Sequence, residues 1–177
     1  MKIREIIGAA LFSAIICITA IITVPIGAVP ITLALFGVFT AAALQKPKCA
    51  IVSVLVYIII GAIGLPVFSG FGSGIGYLMG PTGGFIFAYP IAAVIISLAN
   101  FLFKKYYVAL PISMAISLAI CYLFGTVWYA VVTEVEFTAA VLVCVLPFIV
   151  FDIIKISVCL SVVFAVKKTP IEKLLNE

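Results

Sequence analysis

The chain has no histidine and little charge. Sixteen of its 177 residues are Asp, Glu, Lys or Arg, 9% of the total, where a soluble domain carries about 25%. So few charges cannot cover the surface of a water-soluble protein of this size. A soluble enzyme, a nucleic-acid binder and a disordered chain are excluded. Without histidine the usual zinc spacings cannot form, and Cys17, Cys49, Cys121, Cys144 and Cys159 are scattered with no CxxC pair. They read as small apolar packing residues. No GxxxxGK[ST] loop is present, so the chain lacks the usual means of using ATP itself. HExxH and GxSxG are missing as well, which leaves no nucleophile–base set for an intramembrane hydrolase. No metal, no cofactor and no enzymatic activity is expected.

What is there is hydrophobic. Apolar residues make up 67% of the chain and gather in six runs, at about 6–24, 31–44, 49–64, 84–103, 108–132 and 137–166. A helix crossing ~30 Å of hydrocarbon takes about 20 residues, so this length holds about six spans. The expected fold class is all-α integral membrane, a compact bundle of six transmembrane helices forming one domain over 1–177. The second and third runs are short for a full span, so residues 25–30 are expected to dip into the outer interface, under a cover of protein. The first run is longer than the 7–15 residues of a signal h-region, and no clear cleavage site follows it before Pro25. It is expected to remain as the first helix.

Positive charge sets the orientation. Lys2 and Arg4 precede the first run, Lys46 and Lys48 follow the second, Lys104 and Lys105 follow the fourth, and Lys167, Lys168 and Lys173 follow the sixth. With six spans all nine fall on one side, and the other side has no Lys or Arg. Both termini are therefore expected in the cytoplasm, with the chain multi-pass in the cell membrane. Tyr106 and Tyr107 suit the inner aromatic belt, Trp128 and Tyr129 the outer one.

Two ionisable residues stand inside an apolar run, Asp152 and Lys155. A charge at that depth costs at least ~2.5–3.5 kcal/mol. The i, i+3 spacing puts both on one helix face, where they neutralise each other and point inward. Either they lock a helix interface, or they meet a polar ligand. Asp152 offers acceptors to N–H groups; Lys155 offers donors to a carboxylate or carbonyl. Pro147, upstream, breaks the run and frees backbone carbonyls near the pair.

Nine of the thirteen glycines fall within residues 61–84, together with Phe68, Ser69, Phe71, Tyr77 and Thr82. This outer connection is long enough to fold over a site, and a bare linker has no need of large aromatics. Its GxGxG is no dinucleotide fingerprint, because no strand precedes it. In the first run Ala10 and Ala14, four apart, make a stripe of small residues suited to close helix packing, within the chain or against a partner.

Residues 64–71 (Gly-Leu-Pro-Val-Phe-Ser-Gly-Phe) and 80–85 (Gly-Pro-Thr-Gly-Gly-Phe), with Asp152-Ile-Ile-Lys155, resemble the signature of the BioY family. These are biotin-binding S components of energy-coupling factor (ECF) vitamin transporters. The resemblance covers nearly the whole chain. It implies a six-helix S-component fold that captures biotin from outside, with the 61–84 connection closing over it. It further implies that Asp152 and Lys155 contact biotin, with Asp152 accepting from the ureido N–H. Phe68, Phe71 and Tyr77 would pack on the ring and chain, and Ser69, Thr82 or Lys155 would meet the carboxylate. Ala10 and Ala14 would dock on the coupling transmembrane subunit, with ATP hydrolysed by a separate ATPase pair. An S component for another small vitamin, and a structural membrane protein with a buried Asp–Lys pair, remain as alternatives.

Overall fold

The computed structural model describes residues 2–27, 29–103 and 105–169. Helix α1 (Ile3–Ile21) opens with the Glu5 carboxylate accepting from the Lys2 N–H at 3.0 Å, which satisfies one donor that a helix start leaves orphaned. The chain then makes a short hairpin. Thr23–Val24 (β1) pairs antiparallel with Ile31–Thr32 (β2), Thr23 opposite Thr32 and Val24 opposite Ile31. This hairpin departs from the all-α expectation. All four of these residues are β-branched, Thr, Val or Ile, stiff side chains that favour extended backbone.

Helix α2 (Ala34–Leu44) lies at the centre of the bundle, and every residue of it but Phe36 is buried. Ala and Gly dominate it, so neighbouring helices approach closely; at Gly37 an added Cβ would sit 3.1 Å from the Ile16 backbone of α1. A helix apolar all round belongs in such a place. Helix α3 (Pro47–Ala62) starts on a proline, whose missing N–H costs nothing at the first helical position. The glycine-rich segment follows, folded as one 3₁₀ turn (Ser69–Phe71) and a short helix α4 (Ile75–Leu78). Helices α5 (Gly83–Leu102) and α6 (Tyr106–Thr133) pack along each other, and α2 sits against α1, α5 and the last helix. The sixth apolar run is split into α7 (Phe137–Cys144) and α8 (Ile149–Lys167).

Helices α1, α5, α6 and α8 are long and apolar enough to cross a membrane; α2 and α3 are shorter apolar helices. Eleven residues of α2 reach only ~16 Å, and the hairpin strand Ile31–Thr32 leads directly into it.

Polar contacts gather the basic positions at one end. Lys46 Nζ pairs with Glu5 Oε1 at 3.3 Å, joining the start of α1 to the α2–α3 turn. Asn100 Nδ2 donates to the Ala43 carbonyl at 2.9 Å, and Lys167 Nζ donates to Asn100 Oδ1. The Lys167 ammonium also lies 4.3 Å from the centroid of the Tyr106 ring, next to Lys105. The hairpin and the glycine-rich segment join the opposite helix ends. Lys104 and Lys173 lie outside the described residues.

Candidate ligand-binding site

Pro147 cannot continue α7, so the chain turns over residues 145–148 and a new helix starts at Ile149. Asp152 thereby falls in the first turn of α8, where the helix dipole favours a carboxylate. Lys155 follows on the same face. Its Nζ donates to Asp152 Oδ1 at 2.6 Å, and the two side chains are 9% and 3% exposed. Tyr122, reaching across from α6, donates its hydroxyl to Asp152 Oδ2 at 2.6 Å. Both oxygens of Asp152 are thus bonded within the chain, whereas among the described residues Lys155 spends one of its three donors.

The pair lines a small pocket of about 50 Å³ that opens to the outside of the chain. Tyr57, Tyr77, Phe85, Tyr89 and Phe148 give it aromatic walls. Val29, Pro30 and Thr32 enter from the hairpin side, Ser69 and Thr82 from the glycine-rich segment. Ser69 Oγ is buried without a hydrogen-bond partner among the described residues, a costly state that a polar ligand atom relieves.

The glycine-rich segment is fixed to the bundle rather than hanging free. The Gly74 N–H donates to the Gly61 carbonyl at 2.7 Å, and Trp128 Nε1 donates to the Gly80 carbonyl at 2.9 Å. Gly84 lies directly against Trp128; an added Cβ would stand 2.3 Å from the Trp128 Cβ. Trp128, expected in the outer aromatic belt, is half-buried and positions the stretch that carries Thr82.

Of the seven side chains expected to meet a ligand, Asp152, Lys155, Ser69, Tyr77 and Thr82 converge on the cavity. Phe68 and Phe71 do not line it. Phe68 is fully buried behind the wall, stacked on Tyr77 (centroids 5.2 Å apart) and edge-on to Tyr57 (5.5 Å), its ring filling the space that Gly61 leaves. It buttresses two wall residues. Phe71 points outward, 67% exposed, at a positive φ of 62°. Ala10 and Ala14 are exposed on the outward face of α1.

Sequence reasoning missed Tyr57, Tyr89 and Tyr122. All three stand in the interior of apolar runs rather than at their ends, and a buried tyrosine hydroxyl needs a partner; that position was the available signal. No group of three or more His, Cys, Asp or Glu side chains gathers among the described residues. A neutral ion pair with spare ammonium donors, single hydroxyls and aromatic walls suits an organic molecule with an apolar body and polar ends.

The family model for BioY matches residues 1–171. This chain belongs to the BioY family. A probable biotin transporter of the family from Pyrococcus horikoshii is 43% identical over 155 residues, 88% of this chain and 91% of its own. The biotin transporter of Thermotoga maritima is 35% identical, covering 96% of this chain and 99% of its own. The fold matches the crystal structure of the S-component for biotin from an ECF-type ABC transporter, with a TM-score of 0.86, 25% identity, and 95% and 93% of the two chains covered. The BioY chain described here is accordingly a helical, S-component-like membrane protein of a transporter family, not an enzyme.

Proposed function

We propose that this BioY chain is the biotin-capturing S component of an ECF-type importer. The observation that carries the reading is the buried Asp152–Lys155 pair lining an aromatic-walled pocket. Biotin offers what that cavity lacks: a carboxylate or ureido carbonyl for the spare donors of Lys155, polar atoms for Ser69 and Thr82, and an apolar ring and chain for Tyr57, Tyr77 and Tyr89. The names of the curated relatives and of the matched structure support the same ligand.

In this reading six helical elements form the membrane layer, the four long helices with α2 and α3. Both termini lie in the cytoplasm, since the described basic positions share one end of the bundle and the cavity opens near the other. A coupling transmembrane subunit docks on the α1 face at Ala10 and Ala14, and an ATPase pair supplies the energy.

The test is equilibrium binding to detergent-purified protein. Biotin is expected to bind one to one. Lys155→Ala leaves Asp152 as an uncompensated buried charge, a change that costs about 3–5 kcal/mol, and Asp152→Asn likewise strands Lys155. Each is expected to weaken binding about a hundredfold or more. Wild-type affinity in both variants would place the ligand elsewhere, and no binding by the wild type would overturn the reading.

A further inference from the structure

We infer that Tyr122 is a positioning residue for the binding site, one that holds the Asp152 carboxylate so that Lys155 keeps two donors for the ligand. The inference rests on the cavity being that site. Tyr122 lines it from α6, Asp152 and Lys155 from α8. Its hydroxyl meets Oδ2 at 2.6 Å while Lys155 meets Oδ1 at 2.6 Å, so each carboxylate oxygen has one donor.

Without the phenol, Oδ2 loses the hydrogen bond that Tyr122 gives it. A buried, unsatisfied carboxylate oxygen is expensive, and the Lys155 ammonium, already bound to Oδ1, has further donors to offer it. The carboxylate then rotates to take two N–H groups from Lys155 instead of one. That consumes a donor the ligand needs and draws the ammonium down onto Asp152. Tyr122 prevents this collapse by occupying Oδ2, and it does so across two helices, fixing the carboxylate plane against α6. Its effect on the ligand therefore runs through Asp152.

A double-mutant cycle in biotin binding tests this. Tyr122→Phe removes only the hydroxyl and is expected to weaken binding about ten- to hundredfold. In an Asp152→Asn background the same change is expected to cost less than about threefold, because the group Tyr122 acts through has changed. Equal loss in both backgrounds, or no loss in the first, overturns the inference and leaves Tyr122 as packing. A second readout needs no ligand. Asp152 is the single aspartate in the chain, so carboxyl-13C aspartate labels one site. Its carboxylate stretching band in the infrared is expected to shift between wild type and Tyr122→Phe; an unmoved band overturns the inference even where the variant or the wild type binds no biotin. Absent wild-type binding with a shifted band separates failure of the proposed ligand from failure of the coupling.

Discussion

Gly84 shows how a residue without a side chain shapes the cavity. A Cβ there would lie 2.3 Å from the Trp128 Cβ and 2.8 Å from the Phe124 carbonyl, and the carbonyl is backbone that cannot swing aside. Gly84→Ala forces α5 away from α6, an overpacking cost of ~1–3 kcal/mol. It also strains the Trp128–Gly80 hydrogen bond that holds the Thr82 stretch. The apparent melting temperature in detergent is expected to fall by several degrees, and biotin affinity to fall with it; unchanged values in both would show that the contact yields freely. Residues of this kind divide by how they announce themselves. Asp152 and Lys155 are conspicuous, being charges in a run of oil. Tyr122 is not, because a tyrosine passes for an apolar residue until its hydroxyl is seen to meet a carboxylate. Phe68 and Tyr77 lie in one irregular glycine-rich segment, with no period to say which ring faces the cavity. The structure puts Tyr77 at the wall and Phe68 behind it.

At the scale of elements the long helices follow directly from hydropathy, since a span of 19 or more apolar residues has one stable form in a bilayer. The short runs do not. Nothing in the composition of 31–44 says that its helix is central and eleven residues long, or that its first residues pair with the end of the run before it as a hairpin. That arrangement depends on what surrounds the segment. Pro147 was readable as a break, and its consequence is a helix N-terminus two residues on, under Asp152. The α1 stripe was readable as small but not as outward or inward; the structure exposes Ala10 and Ala14, in line with Ile3, Ile7, Leu11 and Ile18. Small residues flanked by large exposed ones make a groove that another helix can enter. Ala10→Trp and Ala14→Trp are therefore expected to abolish biotin uptake in cells while purified protein captures biotin as before. Uptake surviving both substitutions would mean that the coupling subunit docks on another face.

For the whole molecule the decisive asymmetry is between its two ends. One end carries Lys2, Arg4, Lys46, Lys48, Lys105, Lys167 and Lys168, cross-linked through Glu5, Asn100 and Tyr106. The other end carries the hairpin and the glycine-rich segment, without a single lysine or arginine among their residues. Lysine and arginine resist translocation, so the proposed orientation keeps the first end in the cytoplasm and turns the pocket toward the outside. Two single-residue labels read this out. Ser73, exposed in the glycine-rich segment, and Lys168, exposed at the end of α8, are replaced one at a time by cysteine. Four of the native cysteines are buried and Cys17 is half-buried, so a membrane-impermeant maleimide meets little background. Ser73→Cys is expected to label in intact cells, and added biotin to slow it as the segment is held over the occupied cavity. Lys168→Cys is expected to label only after the membrane is permeabilised. The reverse pattern would invert the molecule and put the cavity on the cytoplasmic side, where a capture subunit has nothing to capture.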